Sequence, residues 1–171
     1  MIELIDGSAD PPSSRTVALR AGISRRMIFN HFHGMDELLV RAVELALSRQ
    51  RGLLRGVPPR GPAPLRVRAL CRQRRQLFEL LGPVYRTAHA RAFTSAGLAG
   101  VLTAQRILLR GQLAHTLAPE LETRGAEAGL LLDALDQATG WEAWRMHRDL
   151  APRSASSAER AMAFAAVELL D

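Results

Sequence analysis

The chain has no lysine, one cysteine, few aromatic residues and no long uninterrupted apolar run, and each shortage narrows what it can be. A lone cysteine, Cys71, excludes an intrachain disulfide and a cysteine-based zinc framework. Five Phe, two Trp and one Tyr in 171 residues, with no β-branched runs, give little material for a sheet. No apolar stretch reaches spanning length and no signal-peptide pattern opens the sequence, so a cytoplasmic protein with no membrane partner is expected. What is abundant is Ala, Leu and Arg, all good helix formers, within a composition that is 47% hydrophobic. An all-α fold with a real core follows.

All 23 basic residues are arginine, and the formal net charge is +6. Residues 1–118 hold 18 Arg against 7 acids, whereas residues 119–171 hold 5 Arg against 10 acids. That asymmetry points to an anionic partner for the first part of the chain. Cys71 lies in the stripe Val67, Leu70, Cys71, Leu77, Phe78, Leu81, whose helical spacing makes it a buried apolar residue rather than a redox sensor.

Glycine, proline and serine punctuate the chain. "MIELI" is too short for a stable helix and "DGSADPPSS" reads as a loop. Ser14 or Thr16 can cap a short helix through Ala21, which Gly22 closes in the left-handed conformation. Ser24 caps a second short helix over about 25–31, and a longer helix begins at "MDELL" with Asp36 and Glu37 where the dipole favours anions. "RGVPPRGPAP", residues 55–64, is the clearest linker. A helix over 65–81 is expected to stop at Gly82-Pro83, followed by helices near 83–95, 98–117, 123–148 and 156–170.

Two short helices joined by the three-residue turn "GIS" form a helix-turn-helix pattern, whose second helix would enter the major groove of double-stranded DNA. Arg25 and Arg26 stand at its N-terminal positions. Between Pro11 and Met35 there are four arginines and no acid. Val17, Ala18, Ala21, Ile23, Ile28, Phe29 and Phe32 supply the apolar faces. His31 and His33 form H-x-H, but residues two apart on a helix point in different directions, so no metal site is expected.

The stretch "TVALRAGISRRMIFNHFHGMDELL" resembles the DNA-binding signature of tetracycline-repressor-type (TetR-family) regulators, with Thr16, Ala21, Gly22, Ser24, Ile28, His31, Phe32 and Leu38 in register. "TGWEAWRMHRDL" and the Ala-rich helix after it are similar to that family's last two helices. The resemblance implies a helix-turn-helix DNA-binding domain over 1–54, with its first helix truncated to "MIELI", a linker over 55–64, and a regulatory ligand-binding and dimerisation domain over 65–171. It implies that Thr16, at the cap of the bracing helix, and Ser24, at the reading helix, meet phosphates. Arg25 and Arg26 reach base edges or backbone, and Asn30 and His31 face the groove or a phosphate. The family's phosphate-holding tyrosine is Phe29 here, and the lysine opening its next helix is Met35.

A repressor relieved by a small effector follows from the resemblance, working as a homodimer through the last two helices. The stripes that would form that seam carry Ala134, Ala138, Trp141, Trp144, Ala158, Ala161, Met162, Ala165 and Leu169. An apolar or aromatic effector would meet Phe78, Phe93 and Trp141, oriented by Tyr85, His89, Gln112 and His115. A second basic run, Arg66 to Arg75, reads as the solvated back of its helix, with Arg74 entering the pocket. No glycine-rich phosphate loop, G-x-S-x-G elbow or HExxH occurs, so neither an enzyme nor a cofactor is expected. The alternative from another class is a helical ligand-binding and dimerisation protein without DNA binding. A basic protein on an anionic membrane surface fits less well, because the short Arg-bearing helices lack a broad apolar face.

Overall fold

The computed structural model describes residues 1–5 and 10–171; part of the loop expected at "DGSADPPSS" lies outside the described residues. Among the described residues the chain is all-helical, with no strand, and no helix is long and apolar enough to cross a membrane. The main helices are α1 (Ser14–Ala21), α2 (Arg25–His31), α3 (Met35–Arg49), α4 (Ala63–Arg91), α5 (Ala96–Thr116), α6 (Ala118–Thr123), α7 (Ala128–Thr139), α8 (Trp141–Arg145) and α9 (Ala155–Glu168). "MIELI" makes a single 3-10 turn over Ile2–Leu4. The chain divides into two compact units, Met1–Arg51 with Leu80–Arg106, and Gly52–Glu79 with Ile107–Asp171, so α4 and α5 each run from one unit into the other.

In the first unit, Gly22 adopts φ 66° and ends α1, as the turn between two short helices requires. Val17 and Ala18 of α1, Ile28 of α2 and Leu38 of α3 form a buried cluster, against which Met1, Leu4, Phe32 and Met35 pack. The α3 to α5 approach is closer than side chains usually allow: a Cβ on Gly97 would lie 2.8 Å from Val40 Cγ2. Ser95 caps α5 by accepting the Leu98 amide at 3.2 Å, and donates its hydroxyl to Asp36 Oδ2 in the first turn of α3 at 2.8 Å.

The second unit is built around aromatic packing. Phe78 meets Trp141 edge to face with centroids 5.6 Å apart, and Trp144 at 6.1 Å. Leu70, Cys71, Leu77, Leu113, Leu117, Leu135, Ala158 and Met162 complete this core. Each large apolar side chain removed from water contributes about 1.5–3 kcal/mol.

Several expected boundaries shift. α4 runs straight through Gly82-Pro83, where the sequence predicts a break. The proline forfeits one helical hydrogen bond, but Leu81, Val84, Tyr85 and Ala88 are buried on both sides of it and packing holds the helix together. The expected helix over 123–148 is interrupted at Gly125 and again at Gly140. Gly140 is extended, and a Cβ there would lie 2.8 Å from the Asp136 carbonyl oxygen, which is why glycine makes this corner. Beyond α8 the chain widens into a π-helical turn, Met146–Leu150. The proline-rich segment is not helical before Ala63, but it is fastened to the second unit by side chains.

Candidate nucleic-acid interface

α2 keeps its expected bounds. Ser24 is extended and accepts the Met27 amide at 3.2 Å, an N-cap that satisfies one otherwise orphaned donor. Only Ile28 of its seven residues is buried. Phe32, four residues on, packs on the same cluster. Phe29, expected in the core, is 44% exposed because one helical step rotates it off the Ile28 and Phe32 face. Ala21 and Ile23 are exposed as well, so the contact between α1 and α2 is narrower than the sequence suggests.

Outward from this platform stand Arg25, Arg26, Asn30 and His31, all exposed. The guanidinium Nε of Arg25 donates to Ser14 Oγ at 3.1 Å, linking the start of α2 to the start of α1. Arg15 and Arg26 have no ion-pair partner among the described residues. Arg20 pairs across an exposed gap with Glu3 at 3.3 Å.

The cap of α1 is Ser13, not Ser14 or Thr16. Its hydroxyl accepts the Thr16 amide at 3.1 Å and lies 2.9 Å from the Thr16 hydroxyl. Thr16 therefore sits in the third position of α1 with both its polar groups turned to Ser13, so a phosphate would have to displace that contact. A serine three residues before a threonine is an ordinary capping spacing, but two adjacent serines, Ser13 and Ser14, leave the choice between them open to sequence reasoning.

His31 and His33 diverge. His33 sits in the turn before α3, where the Glu37 carboxylate accepts its backbone amide at 2.8 Å and lies 2.8 Å from its Nδ1. The backbone hydrogen bond first, and then the ring contact, hold the Glu37 carboxyl below its ordinary value.

The residues expected at an effector are divided. Tyr85 and His89 stack at 5.9 Å in the first unit, where Phe93 follows α4 and is 95% exposed. An aromatic so exposed lines no interior wall. Phe78, Gln112, His115 and Trp141 belong to the second unit. Phe78 and Trp141 are buried against each other, His115 is exposed, and Gln112 donates to the Arg55 carbonyl at 3.1 Å and to Gln73 Oε1 at 2.7 Å. Gln73 is not among the residues the sequence singles out. Its partner lies 39 residues away, and no local spacing reveals it.

The second basic run is divided between interior and surface. Arg66 is 5% exposed, pairs with Glu120 and donates to the Gly61 and Thr116 carbonyls. Arg74 is 2% exposed and donates to the Leu109 carbonyl at 2.7 Å. Arg75 reaches Glu159 of α9 at 3.0 Å. Arg68 and Arg72 remain exposed. Of the seam residues, Trp141, Trp144, Ala158 and Met162 are buried within the chain itself, while Ala165 on α9 and Leu169 at its C-cap are exposed; Phe164 of α9, which the sequence does not single out, is exposed too. Comparison with models of known protein families, with curated proteins and with solved structures gives no match.

Proposed function

We propose that the chain is a DNA-binding transcriptional regulator of the TetR type, a repressor that acts as a homodimer through its last two helices and is relieved by a small effector bound in its C-terminal part. One observation carries the reading. Two short capped helices meet at a left-handed glycine over a buried Val17, Ala18 and Ile28 contact, and the outer side of the second presents Arg25, Arg26, Asn30 and His31 in a stretch without acids. These features support reading the pair as a helix-turn-helix, whose second helix would lie in the major groove. The Arg25 to Ser14 hydrogen bond links the starts of the two helices. Phe164, 68% exposed on α9, is an outward aromatic that a second copy could cover.

The test is a mobility-shift titration against DNA flanking the coding region, over a salt series. Binding through phosphates weakens linearly in log salt, and replacing Arg25 and Arg26 by Ala lowers both affinity and slope, by about 1–3 kcal/mol for each base that is no longer read. No shift at low salt, with the dimer intact by sedimentation, rejects the regulator. It would favour the second reading, a helical ligand-binding and dimerisation protein. That reading draws on Phe29 and Met35, which offer no hydroxyl or charge where the resemblance places a tyrosine and a lysine.

A further inference from the structure

The segment from Arg55 to Gly61 is held by side chains that grip its main-chain carbonyls. Gln73 Nε2 of α4 and Gln112 Nε2 of α5 both donate to the Arg55 carbonyl, at 3.0 and 3.1 Å. Arg66 Nε donates to the Gly61 carbonyl at 3.1 Å. Val57 is 9% exposed and plugs the space between these anchors. The Thr116 hydroxyl lies 3.3 Å from the Val57 carbonyl, but its one hydrogen goes to the nearer Gln112 carbonyl at 2.8 Å, so Val57 is held by packing. Two prolines stiffen the middle of this strap, and Gly61, at φ 82°, turns it toward α4.

The glutamine pair beneath it is incompletely satisfied. Both Gln112 Nε2 hydrogens are engaged, one on Arg55 and one on Gln73 Oε1. Exchanging its oxygen and nitrogen would set acceptor against acceptor, so the orientation is fixed by the network. Gln112 Oε1 is buried and has no hydrogen-bond partner among the described residues. A buried acceptor without a donor, beside a carbonyl held by two amide donors, is one half of a reciprocal amide pair.

We propose that residues 55–61 are a reversible cover on a carboxamide-recognising site made by Gln73 and Gln112. Its ligand is a small neutral molecule carrying a lactam or primary carboxamide. The ligand carbonyl takes the place of the Arg55 carbonyl on the two Nε2 groups, its N–H donates to Gln112 Oε1, and its hydrocarbon part occupies the space vacated by Val57. Ligand binding then stabilises the lifted strap by mass action. This inference deepens the effector half of the proposed function and rests on that reading only for its consequence at DNA.

The experiment is amide hydrogen exchange at buried Val57 in the full chain, with δ-valerolactam as the probe and N-methyl-δ-valerolactam, which has the carbonyl but no N–H, as the control. The expected result is a saturable, several-fold acceleration with the lactam, none with its N-methyl form, and loss of the response in Gln112→Leu. Should that variant lose its helical circular dichroism, Gln73→Leu replaces it: one of the two Nε2 donors is gone, so the lactam response weakens several-fold over a faster basal exchange, and an undiminished response overturns the site. No saturable change with the lactam, or an equal response to the N-methyl form, overturns the site. A parallel mobility shift separates the two claims. A lactam response with unchanged DNA binding upholds the site and removes its effector role, while intact DNA binding without any lactam response overturns the site and leaves the regulator standing.

Discussion

Ser95 and Asp36, 59 positions apart, share a 2.8 Å hydrogen bond that ties the start of α5 to the first turn of α3. The same serine oxygen accepts the Leu98 amide, so one buried hydroxyl serves as helix cap and as bridge. Ser95→Ala should lose both and lower stability by about 1–2 kcal/mol. Asp36→Asn, which keeps an acceptor, should cost less. Urea denaturation followed by circular dichroism measures the difference; equal losses in the two variants would contradict the double role.

Gly97 faces Val40 so closely that an added Cβ would lie 2.8 Å from Cγ2. Gly97→Ala should destabilise by about 1–3 kcal/mol through overpacking. Val40→Ala combined with it should recover part of that loss, a positive coupling readable in a double-mutant cycle. Gly100 on the same helix has open space around it. Gly100→Ala should stabilise by up to about 1 kcal/mol, from helix propensity alone.

Burial pushes the Cys71 thiol up to about 12 from 9.0. The folded state therefore retains a proton that the unfolded chain releases above pH 9.0. The stability linked to this group is complete below that pH and is lost as the pH rises toward about 12. A thiol-specific chromogenic reagent near neutral pH should react slowly with the native chain and rapidly in denaturant. Fast labelling of the native protein would mean that Cys71 is not held in the core.

Phe29 is 44% exposed on the outward part of α2, where the resemblance places a hydroxyl-bearing ring. If the chain binds operator DNA, Phe29→Tyr should tighten the complex by about 0.5–1.5 kcal/mol, one added hydrogen bond, without changing thermal stability. A mobility-shift titration at fixed salt reads the change. Weaker binding would place Phe29 against the duplex in an apolar contact instead.

The local grammar of the first 50 residues is legible because caps and glycine act within three or four positions. Ser24, Gly22 and the acids opening α3 all stand where capping chemistry puts them. What sequence alone does not reveal depends on distant partners. Pro83 looks like a stop until Leu81 and Tyr85 are seen buried on either side of it. The proline-rich stretch has a linker's composition, yet Gln73 and Gln112, remote in sequence, both hold its Arg55 carbonyl. Of the residues the resemblance assigns to DNA, Arg25, Arg26, Asn30 and His31 are exposed, while Thr16 is turned to Ser13 by its backbone and hydroxyl hydrogen bonds. The aromatic residues expected at an effector rest on apolar spacing, which does not tell an interior ring such as Phe78 from an outward one such as Phe93.

The burial of Arg66 and Arg74 changes what the arginine count means. A guanidinium is a flat fork of five donors on three nitrogens, so it spans carbonyls from several segments that the three donors on an ammonium's single nitrogen reach less readily. Arg66 reaches Glu120 and two carbonyls, Arg74 reaches Leu109, and Arg110 reaches Asp133 at 2.7 Å. In a chain whose only strong base is arginine, the same residue type is internal mortar and external charge. The field that a polyanion meets is therefore weaker than the formal excess of the first 118 residues, because it comes from the arginines that stay exposed and not from those held on internal carbonyls and carboxylates.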